Sequence, residues 1–137
     1  MLTEAQKKIV KDQFARLAGR SIRIGQSFYT RLFEQYPGVR PLFSDNMSAQ
    51  YAKFMGMLSL AVDALDNPAP LLPLLVKMGE NHVGYGVQDA HWEPVRIVFL
   101  ETLAEHLGNE FNEESRQAWT AVLLLLENIM KESAAMH

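Results

Sequence analysis

Apolar residues recur at intervals of three and four along almost the whole chain, and no stretch alternates every second residue for long. That period belongs to helices, so the pattern predicts an all-α protein. Thr3-Glu4-Ala5-Gln6 has the capping-box pattern and opens a first helix with Val10, Phe14 and Leu17 on its stripe. A second helix, about Arg20 to Tyr36, carries Gly25, Phe28, Tyr29, Leu32 and Tyr36 along one side. Glycine inside a helix is less favourable than alanine by about 1 kcal/mol, so Gly25 predicts the close approach of another helix. Pro37 suits the first turn of a short third helix reaching about Leu42, and Phe43-Ser44-Asp45-Asn46 is a turn-rich break. A fourth helix is expected from about Met47 to Leu65, burying Gln50/Tyr51, Phe54, Leu58, Ala61/Val62 and Leu65.

Asp66-Asn67-Pro68 caps the next helix, about Pro68 to His82. Its inward stripe is Leu71, Leu75, Met78 and His82, and Gly84 and Gly86 follow as a stop signal. An imidazole below three apolar turns is either a metal or heme-iron ligand or an ordinary core histidine, and the stripe alone leaves both open. A further helix runs from about His91 to Leu107, stopped by Gly108-Asn109. The last opens at Phe111-Asn112-Glu113-Glu114 and ends near Ser133, with Ala118, Val122, Leu125 and Ile129 as its stripe. Leu123, Leu124 and Leu126 make it apolar nearly all round, which predicts a central helix or a subunit contact. The sum is six or seven helices packed in one domain spanning residues 1–137.

Composition narrows the chemistry. With no cysteine there is no disulfide framework, zinc ribbon, thiol nucleophile or covalent heme attachment, which fits a cytoplasmic location. The first residues lack a signal-peptide core, and the longest apolar stretch, Ala121 to Leu126, is far short of the roughly 20 residues that span a membrane. Net charge is −3, yet the first 31 residues carry seven Lys and Arg against Glu4 and Asp12. That basic end can steer an anionic or protein partner but lacks the aromatic interleaving of a nucleic-acid surface. The four histidines form no His-x-x-x-His pair, and none has Glu three residues before it, which argues against zincin and di-iron sites. Nothing assembles a triad or a phosphate loop, so any chemistry is expected from a cofactor.

Four ordered motifs then carry a resemblance over the whole chain. They are Phe28-Tyr29-x-x-Leu32-Phe33 with Pro37, Leu42-Phe43, Ser48-Ala49-Gln50 with Phe54, and Leu71-Leu72-Pro73 through Asn81-His82-Val83-Gly84-Tyr85-Gly86-Val87. Together they resemble the globins, specifically single-domain bacterial hemoglobins and the globin domain of flavohemoglobins. The resemblance implies a globin fold of six to eight helices around heme b (iron protoporphyrin IX). It makes His82 the proximal iron ligand, places Phe43 on the heme face, and puts Val87 in the loop leaving the proximal helix, among the heme contacts. Tyr29, Gln50 and Phe54 would line the distal pocket, and Lys53 would sit at its rim beside a propionate. A diatomic ligand polarised by ferrous heme accepts hydrogen bonds, and a phenol and an amide both donate them. Such a bond to a charged acceptor contributes about 1.5–3 kcal/mol.

The implied function is reversible O2 binding, as a carrier or scavenger. The alternatives are nitric oxide dioxygenation served by a separate reductase, or heme-based gas sensing. NO and CO are further expected ligands; nucleic acid and membrane are not expected partners, and the protein is a monomer or a homodimer. Two positions depart from the flavohemoglobin pattern. Trp92 stands where the family has a proximal tyrosine, and Ala134 falls about where it has a glutamate, with Glu132 two residues away. This puts peroxidase-like chemistry or efficient self-contained nitric oxide turnover in doubt. Phe54 is larger than the leucine common at its position, which implies a tighter ligand cavity.

Overall fold

Thr3 Oγ1 accepts a hydrogen bond from the Gln6 backbone N–H at 3.0 Å, and Gln6 Oε1 accepts one from the Thr3 N–H at 3.0 Å. This reciprocal cap satisfies two otherwise unpaired donors and starts the first helix where the sequence pattern places it. The computed structural model describes residues 2–43, 45–67, 69, 72–73, 76–77 and 92–135, with side chains through residue 130. Five α-helices of useful length lie among the described residues: α1 (Glu4–Leu17), α2 (Ser21–Gln35), α3 (Ser48–Asp63), α4 (Trp92–Leu107) and α5 (Glu113–Ala135). The segment from Pro37 to Leu42, expected as a short helix, is a 3-10 turn begun by its proline. The helix expected over Pro68 to His82 falls mostly outside the described residues.

Gly108 adopts φ +58°, the left-handed conformation that suits glycine, and ends α4 at the expected stop. Asn112 Oδ1 accepts from the Ser115 N–H at 2.9 Å and caps α5. The helix ends otherwise differ from expectation by one or two residues, as fraying ends do.

α2 is the hub, packing against α3 and against α4, while α1 lies on α5 and α3, and α4 lies on α5. Their inward faces merge into one apolar cluster: Val10, Phe14 and Leu17 from α1, Ile24, Phe28 and Leu32 from α2, Leu58 and Val62 from α3, Phe99 and Leu103 from α4, Trp119 and Val122 from α5. Full burial of side chains such as Phe28 and Phe99 stabilises the fold by about 1.5–3 kcal/mol each. Two expected faces are corrected. On α3 the fully buried residues are Met55, Leu58, Ala61 and Val62, while Gln50, Tyr51, Phe54 and Leu65 are half-buried. On α5 the expected stripe holds at Ala118 and Val122, which are fully buried, and at half-buried Ile129, but fails at Leu125. Leu125 is 41% exposed, and Trp119, the largest fully buried side chain, occupies the centre of the face.

Buried polar groups close one seam. Trp119 Nε1 donates to Gln13 Oε1 at 2.8 Å, and Gln13 Nε2 donates to Ser115 Oγ at 2.8 Å and to the Glu110 carbonyl at 2.9 Å. On the surface, most of the basic N-terminal charge is paired within the chain: Lys7 and Lys11 with Asp66, Lys8 with Asp12, Arg16 with Glu110 and Arg31 with Glu105. That leaves less of it available for a partner than the sequence suggests.

Gly25 does mark a close crossing. A Cβ built on it would lie 3.1 Å from the Tyr51 Cβ and 3.3 Å from the Tyr51 Cα, closer than those atoms comfortably approach. Gly25→Ala adds helix propensity but forces α2 and α3 apart, so it should destabilise the protein by about 1–3 kcal/mol. Urea unfolding measures this; a neutral or stabilising result would show that the crossing yields freely.

Candidate distal ligand site

The crossing at Gly25 sets the next turn of each helix face to face. Tyr29 follows Gly25 by four residues and so lies one turn along the same side of α2. Gln50, the neighbour of Tyr51, projects from the first turn of α3, and its Nε2 donates to the Tyr29 hydroxyl oxygen at 3.0 Å. The two residues named from the sequence as the distal pair are therefore in direct hydrogen-bond contact. Tyr29 is 4% exposed. Burial pushes its phenol up to about 12, the Gln50 hydrogen bond pulls it down, and Tyr51 beside it adds to the rise. The hydroxyl is thus held protonated across the neutral range.

Aromatic rings box it in. Phe43 meets Tyr29 edge-on at 5.4 Å between ring centroids, Phe54 does so at 5.8 Å, and Tyr51 and Phe33 each lie at 5.9 Å. Phe54 is four residues after Gln50 and shares its side of α3. Phe43 is held by a residue that the sequence pattern gave no reason to single out. The Phe43 N–H donates to the Arg40 carbonyl at 3.1 Å, and Arg40 Nη1 donates back to the Phe43 carbonyl at 3.2 Å. The same guanidinium lies 4.9 Å from the Phe33 ring centroid, so Arg40 clamps the corner from both sides. Lys53, expected at the rim, is exposed on α3. His82 and Val87 lie outside the described residues.

Beyond that gap Trp92 begins α4 and is buried. One turn later Arg96 Nη1 donates to both Glu127 carboxylate oxygens at 2.7 Å, with the Glu127 side chain 8% exposed. This near-buried pair joins α4 to α5 and was not anticipated from the sequence.

A flat apolar prosthetic group with a small polar ligand on one face needs an apolar wall with one donor set into it. Half-buried Phe43 and Phe54 packed edge-on against the Tyr29 ring supply that wall, and the Tyr29 hydroxyl supplies the donor, so the described residues fit a heme's distal side. A helical fold with such a wall at the α2–α3 crossing is the arrangement of a helical protein that holds a flat prosthetic group. The chain belongs to the globin family, whose model, described as Globin, matches residues 26–130, and it is accordingly a heme-binding globin. It is similar to a flavohemoprotein of Chromobacterium violaceum, 29% identical over 95% of this chain and 33% of the relative. It thus spans about a third of the length of that relative. It is also 28% identical to leghemoglobin-1 of Lupinus luteus, over 98% of this chain and 99% of that protein. Among solved structures it resembles an engineered carbene transferase built on a candidate nitric oxide dioxygenase of Rhodothermus marinus. There the TM-score is 0.91 and the identity 27%, covering 99% of this chain and 95% of that one.

Tyr29 makes alkaline behaviour predictable. A phenol raised from 10.0 to about 12 on folding leaves the unfolded chain holding fewer protons between those values. The stability it contributes is complete below about pH 10 and is lost as pH rises through about 12, an effect of about 2–3 kcal/mol. Tyr29→Phe should flatten that part of the stability profile and remove a step near pH 12 from the phenolate absorbance titration. Superimposable profiles for the two proteins would contradict the raised phenol.

Proposed function

We propose that this globin binds heme b with His82 as the proximal iron ligand and reversibly binds O2, with Tyr29 as the donor to the distal ligand. The single observation behind this reading is the direction of the Gln50–Tyr29 hydrogen bond. Gln50 donates, so the Tyr29 oxygen is the acceptor, and among the described residues its own O–H donates to none. Among the described residues the phenol proton thus has no acceptor, which supports its donation to a ligand, while the phenol oxygen is fixed by Gln50. When bound, heme supplies reversible coordination of diatomic gases. The chain's own residues do the rest. Tyr29 keeps its proton because burial opposes ionisation, and it offers that proton at a fixed point. Gln50 orients the phenol and retains a second N–H of its own. Phe43 and Phe54 exclude water around the donor, which strengthens its bond to a polarised acceptor. Lys53, exposed on α3, would pair with a propionate, and Val87 would be among the heme contacts.

A second reading is nitric oxide dioxygenation, favoured by the similarity to a flavohemoprotein and to the Rhodothermus marinus protein over nearly the whole chain. In that reading a separate cytoplasmic reductase returns the iron to its ferrous state, and NO and CO join O2 as ligands. Both readings use the same distal donor. They separate on turnover: sustained nitrate formation from NO in the presence of a flavin reductase belongs to the second alone.

Tyr29→Phe should speed O2 release about 10- to 100-fold, with CO release changed much less, as stopped-flow ligand replacement would show. An unaltered O2 off-rate would mean that the hydroxyl does not reach the ligand. His82→Ala should abolish heme retention or leave it weak; heme content and a visible spectrum identical to the parent would overturn the proximal assignment.

A further inference from the structure

Phe43 stands in extended backbone, φ −118° and ψ 155°, past the end of the 3-10 turn and ahead of α3. Arg40 holds it at both main-chain groups. The Arg40 carbonyl accepts from the Phe43 N–H at 3.1 Å, and Arg40 Nη1 donates to the Phe43 carbonyl at 3.2 Å. Arg40 Nη2 reaches further along the corner and donates to the Asp45 carbonyl at 3.4 Å. The same guanidinium lies over Phe33 of α2, whose ring centroid is 5.5 Å from that of Phe43. One half-buried side chain thus ties α2 to two points of the corner.

The corner depends on this tie. Between Phe43 and buried Met47 the described residues, Asp45 and Asn46, are exposed, so they add no buried surface to hold it in place. Phe33 and Tyr29 lie one turn apart on the same side of α2, and Phe43 packs on both, edge-on to Tyr29 at 5.4 Å. A guanidinium suits the task. It presents several N–H donors in a fixed fork while its flat face stacks on a ring, whereas an ammonium is a compact, strongly hydrated point charge.

Resting on the distal reading above, we propose that Arg40 is a positioning residue for the distal donor. It holds Phe43 against Tyr29, keeps water from the hydroxyl, and so slows the release of ligands that accept hydrogen bonds. It acts through Phe43 and not by touching the ligand. Once the corner loosens, water competes with the ligand for the phenol proton, and the donor's bond weakens. A less polarised ligand such as CO gains little from the donor and loses little with it.

The test compares the parent chain with Arg40→Met, Arg40→Lys, Tyr29→Phe and the double variant of Arg40→Met with Tyr29→Phe. First, nuclear Overhauser contacts between the Phe43 and Tyr29 rings are followed in the full chain in its diamagnetic CO form. They should be strong in the parent, much weakened in Arg40→Met and intermediate in Arg40→Lys. Undiminished contacts in Arg40→Met overturn the clamp, and Arg40→Lys matching the parent overturns the need for a guanidinium. Second, stopped-flow measures O2 and CO release. Arg40→Met should speed O2 release about 3- to 10-fold, the effect of weakening one hydrogen bond, and change CO release less than about twofold. In the Tyr29→Phe background the same substitution should add nothing, because the group it acts on is gone. No acceleration, equal acceleration in both backgrounds, or equal acceleration of both gases overturns the positioning role; general loosening of the fold gives the last two. Tyr29→Phe that leaves O2 release unaltered sinks the distal reading instead. A chain that takes up no heme sinks that reading too, and the ring contacts in the heme-free chain then decide the clamp by themselves. Arg40→Lys keeps every measurement available if Arg40→Met does not fold.

Discussion

Because Gly25 has no Cβ, the backbone of α2 comes within van der Waals range of Tyr51, and that approach decides where the following turn of each helix places its side chains. A wider crossing would carry Gln50 out of reach of the Tyr29 hydroxyl, now 3.0 Å away. It would also lift Phe54 off Phe28, since a stack at 4.6 Å tolerates no added methyl between the helices that bear it. The propensity lost by placing glycine inside a helix, about 1 kcal/mol, is small beside the aromatic and polar contacts that depend on the resulting distance.

Those contacts have opposite electrostatic demands, and the site reconciles them. Aromatic packing around Tyr29 strips water from a hydroxyl, and a buried hydroxyl left without a partner is unfavourable by about 1–3 kcal/mol. Gln50 meets part of that demand from a half-buried position at the start of α3, donating to the phenol oxygen. The same desolvation moves the phenol's ionisation further into the alkaline range, up to about 12. The described surroundings of the hydroxyl are thus one amide and a set of aromatic rings, with the Arg40 guanidinium behind Phe33 and Phe43.

The sequence made some of this legible and hid the rest, for physical reasons. The capping box at Thr3, the stop at Gly108 and the stripe of α1 depend on residues three or four apart, so local pattern reports them. Gly25 was informative because a helix-interior glycine needs a reason from outside its own helix. Tyr29 and Gln50 were named by resemblance; their hydrogen bond joins two helices and has no period to betray it. Gln13, Ser115 and Trp119 escaped notice on the same ground, for Gln13 and Trp119 are 106 positions apart. Arg96 and Glu127 read as two more solvated charges until the packing of α4 on α5 buries them together. Leu125 misled because several adjacent leucines let the α5 stripe be drawn in more than one register, and only the bulk of Trp119 settles which face turns inward.

Three buried polar groupings fasten three different helix pairs, and their differences carry the functional argument. Gln13, Ser115 and Trp119 tie α1 to α5, and each donor in that group is spent on an acceptor within the protein. Arg96 and Glu127 tie α4 to α5 with opposite charges in contact. A buried ion pair of this kind is often no more stabilising than an apolar pair of the same shape, but it fixes which residues must meet. Tyr29 and Gln50 tie α2 to α3, and among the described residues the phenol accepts from Gln50 while its own O–H donates to no group. A purely structural role for Tyr29 would be served as well by phenylalanine, which would fill the aromatic box without a hydroxyl to desolvate. A tyrosine in that box, oriented by an amide and shielded from water by aromatic rings, suits the donor role proposed for it.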